Sequence, residues 1–156
     1  MVCKKFRRTI RLKVLIAPGT VSYTHLIAGD LSNYMGLVFE QVCRDYLLHQ
    51  NSKGELPFLF TKIGRWWGTN PQDRKEVEID LVAKDQKDYL ICECKWKNQP
   101  VDYSVLDELR KKADSMCSAR QHTWFVLFSK NGFTQAVRDE AAQDPSILLV
   151  TLDDIL

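Results

Sequence analysis

The 156-residue chain has no apolar run of about 18 residues, the length a membrane-spanning helix requires. It has no Cys-x-x-Cys pair. Its five cysteines are scattered at positions 3, 43, 92, 94 and 117, an odd number that speaks against a disulfide framework or a structural zinc site and for a reducing, cytoplasmic compartment. The early apolar stretch Val14-Leu15-Ile16-Ala17 stops at Pro18, too short for a signal peptide. His25, His49 and His122 stand apart, without metal-ligand spacing, and no Ser-His-Asp or Cys-His arrangement is evident. No Gly-x-x-x-x-Gly-Lys-Ser/Thr stretch occurs, which excludes ATP binding through a P-loop. Seven glycines and five prolines exclude collagen-like or linker-like sequence, and there is no repeat or low-complexity tract.

What remains is the composition of a globular domain, 45% hydrophobic and 27% charged. Its length suits one hydrophobic core. The formal charge of +2 conceals an asymmetry. Lys4, Lys5, Arg7, Arg8, Arg11 and Lys13 all precede the first acid, Asp30, leaving 16 bases against 20 acids in the rest of the chain, a net of −4. Overall basicity is therefore no argument for nucleic-acid binding by the body of the protein. Residues 1–29 read as a separate basic segment, with a strand over Arg8–Ala17 and a turn at Pro18-Gly19, and residues 30–156 as the domain.

From residue 31 the pattern sharpens. Met35, Phe39, Val42, Cys43, Tyr46 and Leu47 recur at helical spacing. They predict a helix capped by Ser32 or Asn33, running to about His49 and ended by Asn51–Gly54. Strands are predicted over Leu56–Ile63, Glu76–Ala83 and Tyr89–Trp96, with turns at Thr69–Asp73 and Lys84–Asp88, and the three form an antiparallel meander. A helix over Asp102–Cys117 shows Leu106, Leu109 and Ala113 on one face. Next come an apolar strand over Thr123–Phe128, a helix over Phe133–Ala142 and a buried strand over Ile147–Leu152. The order α-β-β-β-α-β-α-β is that of a mixed sheet flanked by helices, an α/β fold.

Alternation along the second and third strands concentrates charge. Glu78 and Asp80 share one face, opposite Val77, Ile79 and Leu81, and Glu93 and Lys95 share one face, opposite Cys92 and Cys94. If the strands pair, Asp80 lies beside Glu93 and Lys95. Crowded carboxylates repel and call for a cation, and Mg²⁺ characteristically takes one or two carboxylates and engages phosphate. A salt-bridge ladder between neighbouring strands would use the same residues. Glu40 lies about 100° around the first helix from Phe39, on the flank of the apolar stripe, where it can reach the sheet edge or stay solvated.

Glu40 on the first helix, Ile79-Asp80 on a strand and Glu93-Cys94-Lys95 on the next resemble the PD-(D/E)XK nuclease superfamily, whose restriction-endonuclease-like fold has the element order read above. More specifically, Tyr34–Glu40, Glu78–Ala83, Cys92–Trp96 and Ser129–Phe133 resemble a nuclease-like domain of unknown function found at the C-terminus of archaeal-type P-loop ATPases. The proline of the superfamily motif is replaced here by Ile79.

The resemblance implies Mg²⁺- or Mn²⁺-dependent hydrolysis of DNA phosphodiesters. Asp80 and Glu93 would be metal ligands with the backbone carbonyl of Cys94. Lys95 would orient or activate the attacking water, and Glu40 would serve a second metal or a metal-bound water. The expected partners are DNA and a P-loop ATPase domain or subunit, with no membrane and with a homodimer compatible. The chain would be a fragment or detached domain of such an ATPase-associated protein, and the competing reading is a noncatalytic regulatory or DNA-binding module on the same scaffold.

Three nearby residues are candidates for nucleic-acid contact. Arg65 and Lys97 could meet phosphate and Trp66 could stack on a splayed base, although strand-end packing or a dimer interface would also account for the Arg65–Gly68 segment. Lys111 and Lys112 are expected to face solvent. Cys92 and Cys94 are expected to be buried thiols.

Overall fold

In the computed structural model, residues 23–70, 74–116 and 122–156 are described, with side chains from Leu31 onward. The strand expected over Arg8–Ala17 and the Pro18-Gly19 turn lie outside the described residues. The elements are α1 (Tyr23–Lys53), β1 (Lys62–Thr69), β2 (Glu76–Asp85), β3 (Asp88–Lys95), α2 (Tyr103–Met116), β4 (His122–Ser129), α3 (Gln135–Gln143), β5 (Ile147–Thr151) and α4 (Leu152–Ile155). The five strands form one sheet in sequence order. The β1–β2 and β2–β3 pairs are antiparallel, and the β3–β4 and β4–β5 pairs are parallel. This is the mixed, helix-flanked sheet that the element order predicted, extended by the short α4.

Each face of the sheet has its own core. Phe39, Cys43 and Leu47 of α1 pack on Leu81, Ala83, Leu90, Cys92, Val126 and Phe128. The other face carries Ile79, Val82, Ile91, Leu127 and Ile147 under Leu106, Leu109 and Ala113 of α2 and Val137 of α3. Apolar residues of the central strands point both ways, which is why β3 and β4 read as nearly continuous apolar runs. No helix among the described residues is long and apolar enough to cross a membrane.

Three expectations about the elements are corrected. The helix expected to begin at Ser32 or Asn33 is described from Tyr23, so those residues are mid-helix and do not cap it. It also runs past the expected end near His49, through Lys53, and stops at Gly54. The glycine takes a positive φ of 72°, and the N–H groups of Gly54 and Glu55 close on the carbonyls of Asn51 and Gln50. The first strand is Lys62–Thr69, not Leu56–Ile63. The Asn51 side-chain amide accepts from the Phe60 N–H (2.9 Å) and donates to the Phe60 carbonyl (3.1 Å), so this segment is pinned to the helix end and joins the ladder only after Phe60.

The third correction concerns the alternation along β2. The register to β1 slips between Gly64↔Val82 and Trp66↔Ile79, so Asp80 and Leu81 together stand opposite the single residue Arg65. This β-bulge breaks the two-residue period. Leu81 therefore packs in the α1-side core although Ile79 packs in the α2-side core.

Candidate active site

The site lies where the β2–β3 ladder stops. Regular pairing ends at Leu81↔Cys92. Beyond it the Cys94 N–H is donated to Asp80 Oδ2 at 2.8 Å, so a side chain takes over where the backbone ladder gives out. The bulge at Asp80–Leu81 accompanies this divergence and leaves the Asp80 carboxyl largely shielded from solvent. Burial, and then the neighbouring charge of Glu93, push its pKa up to about 6 against the opposing pull of the Cys94 N–H and Lys95.

Glu93 is the only charged residue among the described ones in the fully buried class, at 5% exposure. Its carboxylate is held by two ammonium groups, Lys95 Nζ at 2.5 Å and Lys112 Nζ at 2.9 Å. Burial draws the Lys95 pKa down, but its hydrogen bond to Glu93 and the charges of Glu93 and Asp80 outweigh that, and the net shift is upward. Lys95 is thus an ammonium at neutral pH, a donor that orients rather than a free base.

The Lys112 contact corrects the expectation that this residue faces solvent. It lies three residues after buried Leu109, beside the helix's apolar stripe, and that i,i+3 spacing is the signal that could have found it. Lys111 does lie outside, paired with Asp107 at 2.7 Å.

Glu40 comes from the flank of α1 and reaches the sheet edge. Arg65, the residue opposite the bulge, donates to Glu40 and also pairs with Glu78 at 2.9 Å. Trp66 points to the other face, packs against the α2-side core and lies over Gly68, where any Cβ would collide with its indole. Trp67 is 71% exposed. Cys92 is buried and Cys94 half-buried against the α1-side core, as expected.

The structure therefore brings Asp80, Glu93, Lys95 and the Cys94 backbone together, with Glu40 and Arg65 alongside on the α1 face. Lys97 stands two residues beyond Lys95, exposed. Among the described residues no group of three or more His, Cys, Asp and Glu side chains is disposed around a metal position. The donor chemistry nevertheless fits a hard cation. Two carboxylates and a backbone carbonyl are oxygen donors, and Asp80 and Glu93 stand close enough for the charge of Glu93 to add to burial in raising the Asp80 pKa.

The family DUF234, described as archaea bacterial proteins of unknown function, matches residues 13–113, a stretch that contains Glu40, Arg65, Asp80, Glu93, Lys95 and Lys112. An uncharacterized protein of Methanocaldococcus jannaschii, MJECL04, is 42% identical over 74 residues, which are 46% of this chain and 16% of that protein. The chain thus spans only a small part of the curated relative it matches. Two solved structures are similar. One is AF1548, a protein of unknown function (TM-score 0.46, 15% identity, 76% of this chain and 64% of that one). The other is the DNA modification-dependent restriction endonuclease AspBHI (TM-score 0.41, 18% identity, 94% and 38%).

Proposed function

The chain belongs to the DUF234 family, and from that premise and the site's geometry we propose that it is a metal-dependent nuclease domain hydrolysing DNA phosphodiesters. The observation that carries this reading is the convergence of Asp80, Glu93 and Lys95 at the point where two strands part, with Asp80 shielded and its pKa raised to about 6. An ordinary cross-strand ladder on an exposed sheet would place its charges in water at little energetic cost. Here a carboxylate is buried and another is partly desolvated, an arrangement expensive for folding and useful for chemistry.

Asp80 and Glu93, with the Cys94 carbonyl, would hold Mg²⁺ or Mn²⁺. The ion would supply Lewis-acid polarisation of the phosphate and stabilisation of charge on the leaving oxygen. Lys95, a fixed ammonium, aligns the attacking water and holds negative charge near it. Lys112 holds the other oxygen of the Glu93 carboxylate and fixes its orientation. Glu40 stands by for a second ion or a bound water, and Arg65 is available to phosphate once it leaves Glu40.

The test is nicking of supercoiled plasmid in Mg²⁺ and in EDTA. Wild-type protein is expected to cleave in Mg²⁺ alone, and Lys95→Ala to lose that activity. Equal metal-dependent backgrounds from the two would overturn the proposal.

A second reading has its own observation. Glu40 and Glu93 are each already neutralised by protein cations, Arg65 and the two lysines. A scaffold that never binds metal would look the same, serving as a regulatory or DNA-binding module attached to a P-loop ATPase. The net charge of −4 beyond the basic segment and the short span of the matched relative support that reading. Titration calorimetry with Mn²⁺ separates the two: heat abolished by Asp80→Asn favours the nuclease, and no heat with or without DNA favours the module.

A further inference from the structure

At the carboxyl ends of the parallel strands β3 and β4, on the α1 side of the sheet, is a groove of about 480 Å³ lined by Leu31, Ser32 and Met35 of α1 and by Trp96, Lys97, Asn98, Gln99 and Lys130. We propose that this groove seats one unpaired nucleobase of the substrate strand, so that the domain acts on single-stranded or locally opened DNA in preference to continuous duplex. The proposal rests on the nuclease reading of Asp80, Glu93 and Lys95 and names the substrate class that reading leaves open.

Position is the first argument. Crevices outside the carboxyl ends of parallel strands are where open α/β sheets bind ligands, because the backbones diverge there into loops. The groove wall starts at Trp96, the residue after Lys95, so an occupant is adjacent in the chain to the reactive groups.

The second argument is construction. The loops after β3 and β4 are laced together. Lys130 Nζ donates to Asn98 Oδ1 (2.7 Å), Asn131 Nδ2 to the Asn98 carbonyl (2.6 Å), and the Val101 N–H to the Gly132 carbonyl (2.9 Å). The Lys130 N–H donates to the Lys95 carbonyl (3.1 Å), which ties the wall to the reactive strand. Gly132 enables the second loop by taking a φ of 78°.

The third argument is chemistry. Trp96 is braced by Phe39, with ring centroids 5.3 Å apart, and Lys130 Nζ lies 4.7 Å over its ring. Indole, thioether and leucine make an apolar bed, and Leu31 is left 57% exposed. Asn98, Gln99 and Ser32 offer donors and acceptors. Lys97 and Lys130 give the rim two positive charges in a body that is otherwise net acidic, and this is the complement of a flat aromatic base on an anionic backbone. A base stacking on the indole would shift the Lys130 ammonium onto a flanking phosphate. A base inside continuous duplex is stacked on both faces and cannot reach the indole without leaving the helix.

The test is fluorescence anisotropy of the full chain in EDTA with labelled DNA of roughly 12 nucleotides, within the range of single-strand sites. The probes are the single strand, its blunt duplex and an abasic strand of the same length. The single strand is expected to bind at least about tenfold tighter than either other probe, the size of one stacked base. Ser32→Trp, which fills the groove from an exposed helix position, is expected to bring the single strand down to the duplex level. Lys130→Gln is expected to weaken single-strand binding about threefold and to lower the salt slope by about one. Equal affinity for single strand, abasic strand and duplex overturns the proposal, as does an unchanged preference in both variants. If plasmid nicking in Mg²⁺ is present while the groove variants change nothing, the groove fails and the nuclease stands. If base-dependent binding is present without any metal-dependent cleavage, the nuclease reading fails and the groove stands as a binding site.

Discussion

The two ends of the β2–β3 hairpin both carry acids, and they use them differently. At the turn, Asp85 and Asp88 terminate a fully paired ladder at the surface, where Thr61 donates to Asp85 at 3.1 Å and His122 lies 3.2 Å from Asp88. At the open end, Asp80 and Glu93 sit where pairing has stopped, one desolvated and one buried. The strands, residue types and hairpin are the same. What differs is whether water or protein surrounds the charge, and that difference separates surface decoration from a site able to hold a cation.

The largest effect that could break this contrast is on cleavage. Lys95→Ala or Asp80→Ala is expected to lower metal-dependent nicking about 10³-fold, the size typical of losing a positioned acid–base or charge-stabilising group, while Asp85→Ala and Asp88→Ala stay near wild type. A comparable loss from the turn-end variants would erase the distinction.

Next comes stability. Glu93→Ala removes the shared partner of Lys95 and Lys112, leaving two partly buried ammonium groups without their hydrogen-bonded counter-ion. It is expected to cost about 2–3 kcal/mol in urea denaturation, read as a lowered midpoint. Asp88→Ala loses only an exposed contact to His122 and is expected to stay within about 0.5 kcal/mol.

The third effect has the opposite sign. Asp80 folds with a pKa of about 6, above its ordinary value of 3.8, so the folded state binds more protons between those pH values than the unfolded chain does. Its contribution to stability therefore falls as pH rises through about 4 to 6, and the penalty is complete above about 6. Asp80→Asn, which can still accept the Cys94 N–H, is expected to stabilise the metal-free protein at pH 7 by about 1–2 kcal/mol and to gain little at pH 4. Cleavage should show the mirror image, rising with pH through about 6 as Asp80 ionises. A destabilised Asp80→Asn at pH 7 would mean that Asp80 is structural.

The smallest effect sharpens the neighbouring pairing. Arg65→Gln frees Glu40 and Glu78 and is expected to change stability by no more than about 1 kcal/mol, because both ion pairs are substantially exposed. A much larger loss in thermal denaturation would make Arg65 a fold element rather than a counter-ion to the site.

Much of this was legible from periodicity. The i,i+4 series Phe39, Cys43, Leu47 located the buried face of α1, and alternation in β3 paired Glu93 with Lys95. The frame of β1 was not legible, because the Asn51 amide, outside the strand itself, holds Phe60 away from the ladder. Nor was the bulge, since an extra residue at Asp80–Leu81 has no local mark and shows only against Arg65 on the partner strand. Lys112 looked like one more solvated lysine because its partner is 19 positions away.

By itself the sequence determined which residues are apolar, how often they recur, and so which elements form and which face each buries. Hydrophobic burial acts through these short-range periods. Only the tertiary structure decided which charges meet: Arg65 with Glu40, Lys112 with Glu93, Asp80 with the Cys94 N–H. The energy of a charge depends on its separation from other charges and on the surrounding dielectric, and both exist only once distant segments have packed. Pattern alone could propose the acids as a group. Packing put Glu93 out of water, and that makes the group more than a surface ladder.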